Sequence, residues 1–93
     1  PVPVLVVHGA QDATIPYDLA QGVVDAVPGP AWLLTFPQGG HNSMFAPPEL
    51  DVLTDAVVSF LDAELKGASA SFDGLAARVD GSGIATLRAA PAD

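Results

Sequence analysis

The rest of the chain is organised around one segment, Pro3-Val4-Leu5-Val6-Val7-His8-Gly9-Ala10-Gln11-Asp12. Residues 4–8 are mostly β-branched and apolar without polar alternation, which is typical of a strand covered on both faces in a parallel sheet. Gly9 ends the strand and permits a sharp turn, so Asp12 falls in the loop just past the carboxyl end. Ligands and catalytic groups gather at that edge of open α/β sheets. The segment therefore predicts a strand that presents a functional carboxylate.

A second segment has the same design. An apolar strand over residues 31–36 is followed by Pro37-Gln38-Gly39-Gly40-His41. Parallel strands would bring His41 and Asp12 to the same edge of the sheet. A carboxylate that fixes the tautomer and orientation of an imidazole forms two members of a nucleophilic triad. The loop over residues 37–48 is long for a connection, which favours a functional role.

Helical patterns separate and follow the two strands. Residues 17–27 predict a helix that ends before Pro28-Gly29-Pro30, with a buried stripe of Ala20, Val23, Val24 and Val27. The resulting βαβ unit should have parallel strands and a right-handed crossover. A second helix is predicted from Pro48 or Glu49 to Lys66, with Gly67 as its stop. Its apolar face would contain Leu50, Leu53, Val57, Phe60 or Leu61, and Leu65.

The segment after Gly67 has a weaker pattern. We expect it to be a tail over residues 68–93 that packs on the preceding unit or is partly disordered, with a short helix over residues 72–79. Residues 84–87 predict a docking strand or an extended arm, and residues 89–93 a frayed end. The predicted fold class is thus α/β, with two parallel strands, two main helices and an extended tail.

The amino-acid composition excludes several classes of function. A length of 93 residues suits one small domain. The formal net charge is −8, and no Lys or Arg precedes Lys66, so binding to nucleic acid or an anionic membrane through a basic patch is excluded. The absence of cysteine removes thiolate chemistry and Cys-ligated metals and leaves the compartment open. No apolar run is long enough to span a bilayer. The start at Pro1, just before a core strand, predicts a piece of a longer protein.

The motif His8-Gly9-x-x-Asp12-x-x-Ile15-Pro16, followed by Gly39-Gly40-His41, resembles the C-terminal third of an α/β-hydrolase. In that fold the triad acid follows the seventh strand in a G-x-x-D-x-x-[VI]-P context, and the histidine follows the eighth. The match covers residues 3–66. The tail is similar to those of bacterial dienelactone-hydrolase-like and chlorophyllase-like esterases.

The resemblance implies that Asp12 is the triad acid and His41 the general base of a serine hydrolase that acts on carboxylic esters. It also implies a small-molecule ester as substrate and no cofactor. The G-x-S-x-G element that carries the family's nucleophile is absent, and Gly81-Ser82-Gly83 lacks its spacing. We therefore expect this chain to be inactive alone and to need the missing N-terminal part of the hydrolase. The alternative is a non-catalytic piece that completes the sheet of another chain.

Four other side chains have open roles. His8, with Asp12 and His41, could ligate a metal, but its place at the end of a strand favours a satisfied, partly buried imidazole. Met44 and Phe45 lie beside His41 in sequence and are candidates for contact with substrate. Trp32 lies within a strand, which favours a place in the core.

Overall fold

The computed structural model describes residues 2–90. Three strands, β1 (Val4–Gly9), β2 (Ala31–Phe36) and β3 (Thr86–Ala90), form one sheet in the order β1-β2-β3. β1 and β2 are parallel, with Val4 opposite Ala31 and Gly9 opposite Phe36. The helices are α1 (Tyr17–Ala26), α2 (Glu49–Lys66), α3 (Ala70–Asp73) and α4 (Leu75–Ser82), and a 3₁₀ turn spans Ser43–Phe45. The predicted α/β class is confirmed.

β2 is the central strand, and its side chains alternate between two cores. Leu34 and Phe36 pack in one cluster with buried residues of α2 and α4, whereas Ala31 and Leu33 pack in the other with α1. Helices therefore cover both faces of the sheet. β1 was predicted to be covered on both faces, and its side chains do pack on both: Leu5 and Val7 contact one cluster, and Val4 and Val6 contact the other. β1 lies at an edge of the sheet, and its residues 4–8 are only partly buried.

The two main helices lie where the sequence predicted them, but some of the side chains that were predicted to be buried are exposed. α1 ends at Ala26, one residue before the prediction, and Val23 is 50 % exposed instead of buried. In α2, Ala56 and Ser59 are buried, but Leu65 is 77 % exposed. Gly67 adopts a left-handed conformation (φ 68°) directly after α2, as expected of a glycine at a helix end.

The tail after Gly67 forms regular structure up to Ala90. The expected helix over residues 72–79 is two short helices, α3 and α4. The expected strand or arm over residues 84–87 is β3, which begins at Thr86 and pairs antiparallel with β2. Ala89 and Ala90 belong to this strand, so the predicted fraying is wrong for them. Residues 91–93 lie outside the described residues.

Hydrogen bonds from Arg78 link α4 to α2 and to α3. Its Nε donates to Asp55 Oδ2 at 2.8 Å, and its Nη2 donates to Asp55 Oδ1 at 2.9 Å and to the Ser71 carbonyl at 2.7 Å. The hydrogen bonds from this guanidinium hold the pKa of Asp55 below its usual range.

Trp32 of β2 packs edge-on against Phe72 and Phe60, with ring centroids 5.0 and 5.6 Å away. None of the helices formed by residues 2–90 is long and apolar enough to cross a membrane.

Candidate active site

Asp12 is held in a turn directly after β1. Its Oδ1 accepts hydrogen bonds from the amides of Thr14 at 2.7 Å and Ile15 at 2.9 Å, and its own amide donates to the Gly9 carbonyl at 3.1 Å. The side chain is only 3 % exposed. Because one carboxylate oxygen is committed to the turn, the direction of the other, Oδ2, is fixed as well.

His41 contacts the second carboxylate oxygen of Asp12, Oδ2. Its Nδ1 lies 2.7 Å from Asp12 Oδ2, and its side chain is 45 % exposed. An ionised carboxylate only accepts hydrogen bonds, so Nδ1 carries the proton of the neutral ring and Nε2 keeps a lone pair. The pair therefore combines a buried carboxylate with an imidazole that is partly open to solvent.

A close approach of two backbone segments brings the acid and the base together. The amide of Ala10 donates to the Phe36 carbonyl at 2.9 Å, and that of Gln11 donates to the Gly39 carbonyl at 2.9 Å. A Cβ atom on Gly9 would lie 2.4 Å from the oxygen of Gly39. The positive-φ glycines of the described chain are Gly67 and Gly83. Gly9 is thus needed for this close approach and not, as the sequence indicated, for a sharp turn.

Hydrogen bonding keeps Asp12 ionised. Burial alone would raise the pKa of this carboxyl, but the hydrogen bonds from the amides of Ile15 and Thr14 and from His41 outweigh that effect. Together they lower the pKa of Asp12 from 3.8 to about 2. The carboxyl group of Asp12 is therefore ionised at neutral pH.

A cavity of about 290 Å³ opens beside the pair. Its polar side includes Asp12 and His41, and its apolar side includes Met44 and Phe45. Met44 is 7 % exposed and forms part of the wall, whereas Phe45 is 63 % exposed and lies at the rim. The structure therefore brings together all four residues that the sequence singled out as site candidates. Trp32 is absent from this lining and lies in the aromatic cluster with Phe60 and Phe72.

Sequence reasoning missed three further features of the site. Val7 and Ile15 line the cavity, and Ser43 Oγ donates to Glu49 Oε1 at 2.8 Å, which ties the 3₁₀ turn to the start of α2. The sequence showed Ile15 only as part of the G-x-x-D-x-x-[VI]-P motif and did not indicate that it lines a cavity. No sequence signal indicates the contact between Ser43 and Glu49. Within residues 2–90 no group of three or more His, Cys, Asp or Glu side chains could hold a metal ion.

A histidine beside a buried carboxylate at the carboxyl edge of parallel strands is the arrangement expected of an α/β-hydrolase-related protein. The family model described as "TAP-like protein", an α/β-hydrolase family, matches residues 1–67, and the chain belongs to this family. The match does not extend to the narrower resemblance to dienelactone-hydrolase-like or chlorophyllase-like esterases. Comparisons with curated proteins and with solved structures gave no match.

Proposed function

We propose that this chain supplies the acid and the base of a serine hydrolase that acts on carboxylic esters. The observation that carries the proposal is the 2.7 Å contact between the Nδ1 of an exposed imidazole and a carboxylate that is 3 % exposed. A loop aspartate that only caps its own turn would show the two amide hydrogen bonds to Oδ1, but not the contact of its second oxygen with His41.

In this mechanism His41 Nε2 takes the proton from a serine hydroxyl as that oxygen attacks the ester carbonyl. The imidazolium then gives the proton to the leaving alcohol, and an acyl-serine remains. In the second half His41 takes a proton from water, whose oxygen attacks the acyl group, and returns the proton to the serine. Asp12 keeps the proton on Nδ1 throughout and stabilises the imidazolium by charge.

The serine itself would come from another segment of polypeptide. Ser43 Oγ is bound to Glu49, and Ser59 Oγ donates to Asp55. Ser82 Oγ donates to the carbonyl of Val79. None of the five serines of the sequence, which also include Ser69 and Ser71, stands in the G-x-S-x-G context that exposes the nucleophile in this fold class. We therefore propose that the serine is supplied by the N-terminal part of a hydrolase domain.

The lining of the cavity supports an ester with an apolar group. Met44, Phe45, Val7 and Ile15 offer apolar contact directly beside His41. Residues 1–65 contain no Lys or Arg to hold an anionic substrate. We therefore assign Met44 and Phe45 to the binding of an uncharged acyl or alkyl group of the ester.

Mixing experiments test this function. The 93-residue chain is combined with the N-terminal portion of a TAP-like hydrolase that carries G-x-S-x-G, and hydrolysis of p-nitrophenyl esters is followed. We expect each part alone to stay at background and the mixture to turn over. Asp12→Asn should lower kcat by roughly 10⁴-fold, because it favours the wrong tautomer of His41.

Asp18→Asn is the matched control, since it neutralises an exposed carboxylate at the start of α1. The proposal fails if the mixture hydrolyses esters equally well with Asp12→Asn and with Asp18→Asn. It also fails if His41→Gln leaves turnover unchanged.

A second function is favoured by one observation, the apolar surface on the outer faces of α1 and α2. The exposed side chains are Leu19, Val23, Val57, Val58, Leu61 and Leu65. Within residues 2–90, β1 pairs only with β2, so its other edge is open to a further strand. A non-catalytic piece that completes another chain's sheet would have these features. In the mixing experiment it would form a stable complex without any hydrolysis.

A further inference from the structure

His8 is a second histidine at the site, and the mechanism above gives it no task. It lies one residue before the end of β1, lines the cavity and is 11 % exposed on its side chain. Its sequence position predicted only a satisfied, partly buried imidazole. The identity of its hydrogen-bond partner gives it a more specific role.

His8 Nε2 lies 2.8 Å from the carbonyl oxygen of Ile15. A carbonyl oxygen only accepts, so Nε2 carries a proton and donates it. The same nitrogen lies 3.5 Å from Asp12 Oδ2, which is beyond a good hydrogen bond but close enough for electrostatic attraction. His8 therefore contacts the turn of the acid from the side of the sheet.

The ring of His8 is held in place by neighbours from two other elements. The Tyr17 ring centroid of α1 lies 6.0 Å from that of His8, at an angle of 46°. The Tyr17 hydroxyl is hydrogen-bonded to Thr35 Oγ1, and Thr35 is the residue of β2 directly opposite His8. The imidazole therefore packs beside a tyrosine whose hydroxyl is itself hydrogen-bonded to the neighbouring strand.

Ile15 links His8 to the acid. Its amide donates to Asp12 Oδ1 at 2.9 Å, while its carbonyl accepts from His8 at 2.8 Å. We propose that His8 is a positioning residue: by holding Ile15 it keeps Oδ1 occupied by the turn amides and leaves Oδ2 aimed at His41 Nδ1. This inference rests on the proposed function, because it assigns His8 to the orientation of the same acid–base pair.

A matched pair of variants separates positioning from packing. In His8→Gln the side-chain amide nitrogen occupies about the place of Nε2, so it still donates to Ile15. The amide of His8→Asn is one methylene shorter and stops short of that carbonyl. The readout in the 93-residue chain is the ¹⁵N spectrum of the His41 imidazole and the low-field proton shared between Nδ1 and Asp12.

We expect His8→Gln to keep the low-field proton and His8→Asn to lose it, with His41 moving toward the other tautomer. In the reconstituted hydrolase, His8→Asn should lower kcat up to about 100-fold with little change in KM, because the acid acts in the transition state. His8→Gln should restore most of that rate.

The inference is overturned if both variants keep the proton, or if both lose it. It is also overturned if His8→Asn unfolds the chain, judged by Trp32 fluorescence, since His8 would then be a structural residue. A missing low-field proton in the unsubstituted chain would instead contradict the proposed function. The two failures are therefore distinguishable.

Discussion

Replacing Gly9 by alanine tests the close approach that brings the acid and base loops together. The new Cβ would lie 2.4 Å from the oxygen of Gly39 and 2.5 Å from that of Gly40, whereas ordinary contact begins at 3.4 Å. These are backbone atoms, so no side-chain rotation relieves the overlap. The loop that carries His41 must therefore move away from β1 by about 1 Å.

A shift of that size is large compared with the contact it disturbs. Lengthening the 2.7 Å distance between His41 Nδ1 and Asp12 Oδ2 by about 1 Å carries it past the roughly 3.2 Å limit of a hydrogen bond. A displacement of about 1 Å at a catalytic group costs up to roughly 100-fold in rate. Overpacking of this kind also destabilises a fold by about 1–3 kcal/mol.

The assays are ester hydrolysis in the reconstituted hydrolase and urea unfolding of the 93-residue chain. Gly22→Ala and Gly40→Ala are the controls, because a Cβ at either position has no neighbour within 4 Å. Gly22→Ala in α1 should stabilise the chain by about 0.5–1 kcal/mol. The reasoning is refuted if Gly9→Ala matches the unsubstituted chain in both turnover and unfolding midpoint.

Three further predictions concern charge, the docking of the tail and the substrate. Because the pKa of Asp12 is lowered from 3.8 to about 2, its carboxylate contributes stability fully above pH 3.8, and this contribution is lost as the pH falls toward about 2. In urea unfolding, the stability difference from Asp12→Asn should therefore shrink over that window; a difference that stays constant refutes the prediction. Arg78→Gln should lower the urea midpoint only slightly, since water screens a pair whose side chains are 43 % and 38 % exposed. Arg88→Gln, which breaks one 3.2 Å contact, should have a smaller effect, and the reverse order of midpoints would contradict the structure. Phe45→Ala should raise KM about tenfold for esters with long apolar acyl groups, equivalent to ~1.4 kcal/mol of lost apolar contact, and should leave KM for acetyl esters unchanged. Equal effects on both kinds of ester would show that Phe45 does not bind the acyl group.

The elements that carry the site could be predicted from local sequence. Apolar runs and helical spacing identified β1, α1, β2 and α2. The meeting of Asp12 and His41 followed because parallel strands end at the same edge of a sheet. The strand and helix predictions used residues close together in the chain, whereas the meeting of Asp12 and His41, 29 positions apart, needed only the parallel pairing of β1 and β2.

The third strand was harder to predict because its pairing is nonlocal. Arg88, Ala89 and Ala90 have weak strand propensity, and they form β3 only because the second edge of β2 is there to receive them. The ion pair of Arg78 with Asp55 also joins positions far apart in sequence. The same holds for the approach of Gly9 to Gly39, which depends on two loops packing after both strands have formed.

The role of His8 was missed for a different reason. The sequence placed His8 as the last residue of β1, one residue short of the observed end at Gly9. Its partner is a backbone carbonyl, and every residue carries one. The shape of the turn over residues 12–15 decides that the carbonyl within reach of His8 is that of Ile15. The family match gives the hydrolase relationship, whereas the ester substrate stays a prediction that the mixing experiment tests.

The central claim is that Asp12 and His41 form an acid–base pair, and the ¹⁵N and low-field proton spectra of the unsubstituted chain test it most directly. A proton on His41 Nδ1 that is lost in Asp12→Asn and kept in Asp18→Asn is the predicted result. A His41 imidazole protonated on Nε2, or one that does not respond to Asp12→Asn, would contradict the account.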